Sequence, residues 1–147
     1  MSGADPARPE LLLLDTHTLI WLTFSDPRLG KRAHSSIQIA SQENRLAISA
    51  ITPWEVALLV SKKKIDLFRD VMVWVNETLA LPGSTLVGLE PEIAVASTRL
   101  PFEMHPDPAD RILVATARQL GATLVTADRA LLELAAMGYF KARNATE

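Results

Sequence analysis

The chain has 147 residues, 15 Lys and Arg against 17 Asp and Glu, and a hydrophobic fraction of 48%. These values suit one globular domain with a sizeable core. The nearly balanced charge predicts no basic surface of the kind that binds nucleic acid. The absence of cysteine excludes disulfides, thiolate metal sites and cysteine nucleophiles. Carboxylate and histidine chemistry remains, which favours hard cations such as Mg²⁺ or Mn²⁺.

The amino-terminal region contains no targeting or membrane signal. Residues 1–10 are polar with two prolines, which predicts a flexible tail ahead of a single domain over residues 11–147. The apolar run Leu11–Leu14 ends at Asp15, so it is too short for a signal-peptide core or a membrane span. We therefore expect a cytoplasmic protein that makes no contact with a membrane.

Short apolar strands alternate with amphipathic helices along the chain. Strands are predicted at residues 11–14, 46–49, 84–89 and 123–126, with a short edge strand at 139–140. Helices are predicted from residue 19, from 26 to about 42, and over 52–64, 67–80, 90–100, 107–120 and 128–137. This alternation predicts an α/β fold, a three-layer α/β/α sandwich with a central parallel sheet covered on both faces.

Two of the helix starts carry acids at the third helical position. Asp107 fits an N-cap with Pro108 at N1, which places Asp110 at N3. Thr52 fits an N-cap with Pro at N1, and Glu55 then completes a capping box. On this interpretation each acid only stabilises a helix end.

The positions of four acids along the strands favour a different interpretation. Asp15 ends the first strand, Asp128 follows strand 123–126, Glu55 begins the helix after the second strand, and Asp110 begins the helix before strand 123–126. Sites in open α/β sheets form at the carboxyl ends of strands. Converging carboxylates repel each other unless protons or a cation neutralise them, so the sequence indicates a metal site.

Four segments in this order resemble the PIN-domain family, most of all the VapC-type toxins of bacterial toxin–antitoxin pairs. They are LLDTHTLIW at 13–21, ISAITPWEVA at 48–57, HPDPADRILVATA at 105–117 and TLVTAD at 123–128. The resemblance covers about residues 11–135. It implies a five-stranded parallel sheet and a Mg²⁺-dependent endoribonuclease, with Mn²⁺ as a possible substitute.

Carried over by position, the acids of that family fall on Asp15, Glu55, Asp110 and Asp128, and a hydroxyl position falls on Thr126. We expect one or two metal ions, with Asp15 and Asp110 as the main ligands, Asp128 completing the shell, and Glu55 binding the metal or orienting water. Thr126 would support the ligands. The family also implies an RNA substrate, a homodimer, and a small antitoxin whose C-terminal segment blocks the acidic site.

Other polar residues near these segments have two interpretations each. Arg111 could pair with a neighbouring acid or grip a phosphate. His17 and His105 could touch substrate, but a role in a helix start or loop is expected. Lys62–Lys64 suit the negative end of a helix dipole and could also contact RNA phosphates.

Core or interface positions are expected for the three tryptophans, Trp21, Trp54 and Trp74.

Two other functions compete with the ribonuclease. A catalytically inactive PIN-fold module that binds nucleic acid or protein predicts the loss of one or more acids, whereas all four are present. A phosphoacceptor signalling domain needs a second acid beside Asp15 and a lysine after a late strand. Residues 118–132 contain no lysine, so this third function ranks last.

Overall fold

The computed structural model describes residues 9–147, and a parallel sheet forms its centre. The strands are β1 (Leu12–Leu14), β2 (Leu46–Ser49), β3 (Ser84–Val87), β4 (Thr123–Thr126) and β5 (Lys141–Asn144). Their order is β3-β2-β1-β4-β5, and every neighbouring pair is parallel. The predicted α/β class with a five-stranded parallel sheet is confirmed.

Helices connect the strands and cover both faces of the sheet. They are α1 (Thr16–Thr23), α2 (Lys31–Gln42), α3 (Ile51–Ser61), α4 (Val71–Leu79), α5 (Pro91–Ser97), α6 (Pro108–Leu120) and α7 (Arg129–Ala136). Leu12 and Leu14 pack in one hydrophobic cluster, with residues of α1, α2 and α4. Leu13 packs in the other cluster, with residues of α6 and α7. The alternation along β1 therefore buries both faces, as a three-layer sandwich requires.

The central strand β1 sets the position of the site. Its three leucines are at most 1% exposed, and it pairs with β2 on one side and β4 on the other. The chain leaves β1 toward β2 and β3, then returns to the opposite side as β4. The strand order therefore reverses between β1 and β4, and such a switch point leaves a crevice at the carboxyl ends of the strands.

The predicted capping box at Thr52 is wrong. Helix α3 begins at Ile51, so Thr52 lies inside its first turn. The hydroxyl of Ser49 accepts from the N–H of Ile51 at 3.1 Å and serves the helix start in its place. Thr52 is 1% exposed, and its hydroxyl has no hydrogen-bond partner among residues 9–147. Glu55 is consequently free of the capping role.

The helix predicted over residues 67–80 is shorter than expected. Asp70 accepts from the N–H of Met72 at 2.9 Å, so α4 begins only at Val71. Phe68, expected on its apolar side, has a φ of 56° and is 83% exposed. Core positions hold for Trp21 and Trp74, whereas Trp54 is 49% exposed. Trp54 is therefore not a core residue, and its alternative position at an interface stays a prediction.

Several other boundaries differ from the prediction: α1 begins at Thr16 instead of residue 19, and β3 ends at Val87 instead of residue 89. Asp26 does not begin a helix, because its carboxylate binds the backbone N–H and guanidinium of Arg28. Helix α2 begins five residues later, at Lys31. The edge strand lies at 141–144 instead of 139–140, where it pairs with β4.

Most of the predicted tail, residues 1–8, lies outside the described residues. Glu10, at its end, is held in place: it accepts from the hydroxyl of Thr123 at 2.7 Å and from Arg143 Nε at 3.0 Å. Over residues 9–147, no helix combines the length and apolar character needed to cross a bilayer.

Candidate active site

A cleft of about 510 Å³ opens at the carboxyl ends of β1 and β4. Its lining brings together all four acids of the predicted set. It also contains a fifth acid, Asp107, which was predicted only as a helix N-cap. The complete lining is Asp15, His17, Trp21, Glu55, Leu59, Asp107, Asp110, Ala127 and Asp128.

Asp15 is fixed at the end of β1 by two hydrogen bonds. It is 7% exposed, and its Oδ1 accepts from the N–H of Thr16 at 2.7 Å. Its Oδ2 accepts from the hydroxyl of Thr126 at 2.6 Å. Burial raises the pKa of Asp15, and these two hydrogen bonds oppose the rise. The carboxylate is thus held in one orientation at the floor of the cleft.

Thr126 connects two of the acids. Besides donating to Asp15, its oxygen accepts from the N–H of Asp128 at 3.0 Å. Asp128 is the N-cap of α7, where its Oδ1 accepts from the N–H of Leu131 at 3.1 Å. Its other carboxylate oxygen has no protein donor within residues 9–147 and remains available as a ligand. The end of β4 therefore sets the spacing between Asp15 and Asp128.

Glu55 is anchored from α1 and not from its own helix. The hydroxyl of Thr16 donates to its Oε1 at 2.5 Å. Burial raises the pKa of Glu55, and the charges of Asp15 and Asp107 raise it further. The charge of Glu55 thus interacts with the charges of the other acids in the cleft.

Asp107 and Asp110 enter the cleft from the start of α6. Asp107 is the N-cap, as predicted, and accepts from the N–H groups of Ala109 and Asp110 at 2.9 and 3.2 Å. The pKa of Asp110 is raised to about 8, first by burial and then by the charges of the surrounding acids. These acids cannot all carry a charge together without a cation, because burial weakens the screening of their repulsion.

The positions of the ligand atoms fit a divalent cation. One ligand atom from each of Glu55, Asp107 and Asp110 lies within 4.8 Å of the others. The same spacing holds for His105, Asp110 and Asp128. Carboxylate oxygens are the preferred ligands of Mg²⁺, so the donor set fits this class of ion. Asp107 was missed as a cleft residue, although its spacing of three from Asp110 at one helix start was the available signal.

Arg111 does not pair with a neighbouring acid, which was one of its two predicted roles, and binds two backbone carbonyls instead. Its Nε donates to the carbonyl of Ser97 at 2.9 Å, and its Nη1 donates to the carbonyl of Met104 at 3.3 Å. Among residues 9–147 it forms no ion pair with an acid. It therefore ties α6 to the end of α5 and to the following loop. His17, by contrast, is exposed on α1 and lines the cleft.

Comparison with known proteins places this geometry in a family. The PIN domain matches residues 12–137. The chain is 38% identical over 120 residues to Ribonuclease VapC22 of Mycobacterium tuberculosis, which covers 82% of this chain and 88% of that protein.

Two solved structures share the fold at low sequence identity. One is VapBC2 from Rickettsia felis bound to a DNA fragment from its promoter, with a TM-score of 0.64, 14% identity, and coverage of 91% of this chain and 98% of that one. The other is DNA-bound VapBC from Salmonella typhimurium, with a TM-score of 0.61, 16% identity, and coverage of 92% and 98%. Together with the family match and the VapC22 similarity, they lead to one conclusion: the chain belongs to the PIN domain family.

Proposed function

We propose that this chain is a metal-dependent endoribonuclease and the toxin of a toxin–antitoxin pair. The observation that carries the proposal is the meeting of Asp15, Glu55, Asp110 and Asp128 in one cleft. The similarity to Ribonuclease VapC22 supports ribonuclease chemistry in that cleft. The alternative, an inactive binding module, does not explain why the cleft gathers carboxylates whose pKa values are raised by burial and by the charges of the neighbouring acids.

Mg²⁺ is the ion that we propose for this site, with Mn²⁺ able to replace it. When bound, such an ion polarises a phosphate oxygen and lowers the pKa of a water molecule. Asp15, Asp110 and Asp128 would hold the ion, while Glu55 would bind it or orient the attacking water. Thr126 keeps Asp15 and Asp128 at a fixed separation, so the ligands need little rearrangement on binding.

The substrate in this proposal is RNA, and the regulator is a small antitoxin whose C-terminal segment covers the acidic cleft. The solved VapBC complexes with similar folds support such a partner. A homodimer and a cytoplasmic location complete the proposal.

Asp15→Asn tests the hydrolytic role with little change in side-chain size. We expect RNA cleavage in Mg²⁺ buffer to fall by more than about a hundredfold, the upper end for loss of an outer-shell partner at a metal site. Growth arrest on expression without a partner should disappear as well. Glu133→Gln, an exposed acid on α7, is the matched control and should keep both effects.

Two results would contradict the proposal. A folded Asp15→Asn protein that cleaves RNA at the parental rate would remove Asp15 from the chemistry. A parental protein that binds RNA but does not cleave it with any divalent ion would favour the inactive binding module instead.

A further inference from the structure

His105 lies beside the acid cluster although it is not one of the acids. Its Nε2 is 3.4 Å from Asp110 Oδ2, and its side chain is 36% exposed. We propose that His105 supplies an imidazole nitrogen ligand when Mn²⁺ replaces Mg²⁺ in this cleft. This inference rests on the proposed function, because it concerns the same cation.

Asp110 offers the cleft two different donor sets. With Glu55 and Asp107 it forms a group of carboxylate oxygens only. With His105 and Asp128 it forms a group that contains a nitrogen, in which the ligand atoms again lie within 4.8 Å of one another. Mg²⁺ is bound through oxygen, whereas first-row transition ions also accept imidazole. The second group therefore offers Mn²⁺ a nitrogen ligand in addition to carboxylate oxygens.

The backbone holds His105 in this position. The carbonyl of Met104, the preceding residue, accepts from Arg111 Nη1 at 3.3 Å, and Arg111 directly follows Asp110 in α6. Pro106 comes next after His105 and fixes its own φ while restricting the conformation of His105. Arg111 thus ties the loop that carries the imidazole to the helix that carries Asp110.

A simpler interpretation treats His105 only as an ion-pair partner of Asp110. An ion pair would neutralise part of the acid cluster, but it would place no nitrogen on a bound metal. The two interpretations therefore differ in the ligands of the metal-loaded protein, which spectroscopy can detect without any measurement of cleavage.

Mn²⁺ bound to the purified full chain provides this test. Electron spin-echo spectroscopy should detect a coupled ¹⁴N nucleus in the parental protein. His105→Ala should abolish that signal and weaken Mn²⁺ binding, measured by calorimetry, by more than about tenfold. The affinity of His105→Ala for Mg²⁺ should differ far less from that of the parental protein. His17→Ala, in the same cleft, and His34→Ala, exposed on α2, should both keep the nitrogen signal.

The parental spectrum alone can overturn the inference, whether or not His105→Ala folds. A parental Mn²⁺ complex without nitrogen coupling would overturn it, and so would coupling that persists in His105→Ala. If that same parental protein cleaves RNA in Mg²⁺, the proposed ribonuclease stands and only the histidine ligand is lost. A parental protein that neither binds Mn²⁺ nor cleaves RNA would overturn both proposals.

Discussion

The hydroxyl of Thr16 donates to Oε1 of Glu55 at 2.5 Å, across 39 positions of sequence. Thr16 also gives its N–H to Asp15, so one residue orients two acids of the cleft. Its hydroxyl and its backbone are both buried, which limits competition from water. The link holds Glu55 in the cleft, in agreement with the metal-site interpretation and not with the capping-box interpretation.

Glu55→Gln should therefore separate charge from hydrogen bonding. The Gln carbonyl can still accept from Thr16, so we expect a melting temperature near that of the parental protein. A metal-binding or water-orienting group needs its negative charge, so RNA cleavage should fall by more than about tenfold. The measurement is cleavage rate and thermal melting in one Mg²⁺ buffer. If Glu55→Gln cleaves RNA at the parental rate, only Asp15, Asp110 and Asp128 of the predicted set remain as catalytic acids.

Thr52→Val should not cost the stability expected for loss of a helix cap. The hydroxyl of Thr52 is buried without a partner in the described part of the chain, and burial of an unpaired polar group is unfavourable. Val has nearly the same shape, so the free energy of unfolding should stay constant or rise by up to about 1 kcal/mol. Chemical denaturation measures it. A loss of more than about 1 kcal/mol would show that the hydroxyl does have a partner.

The metal-free protein should lose stability as the pH rises toward 8. The pKa of Asp110 is 3.8 in its ordinary state and about 8 in the fold, so the native state retains a proton that the unfolded chain releases. The contribution of Asp110 to the free energy of unfolding is present in full below pH 3.8 and is lost as the pH rises through about 8. Melting temperatures of the parental protein and Asp110→Asn across this window provide the measurement. The variant should show a flatter dependence, and parallel curves would refute the assignment.

Mg²⁺ should stabilise the folded chain by relieving the repulsion among the carboxylates. An ion that binds only the native state adds roughly 2.7 kcal/mol to the free energy of unfolding at a hundredfold excess over its Kd. Thermal melting with and without Mg²⁺ measures this effect, and Asp110→Asn should respond less than the parental protein. Identical melting curves at every Mg²⁺ concentration would count against a cation site in the cleft.

The sequence by itself determined four of the five strands and much of the site. The apolar segments at β1, β2 and β4 are buried strands, because their side chains are apolar on both faces. The order of strands and helices then placed Asp15 and Asp128 at one edge of the sheet. The N-cap at Asp107 could also be predicted from the sequence, because the capping acid and Pro108 at N1 are local signals within a few residues of one another.

Only the tertiary structure decided which local signals prevail and which distant residues meet. Thr52 has the local pattern of an N-cap, but the pairing of β2 with β3 continues to Ser49, whose hydroxyl serves the start of α3 in its place. The contact of His105 with Asp110 and the bond from Thr16 to Glu55 depend on side-chain positions that no spacing rule encodes. Local capping energies are about 1 kcal/mol, so burial of the surrounding core overrides them.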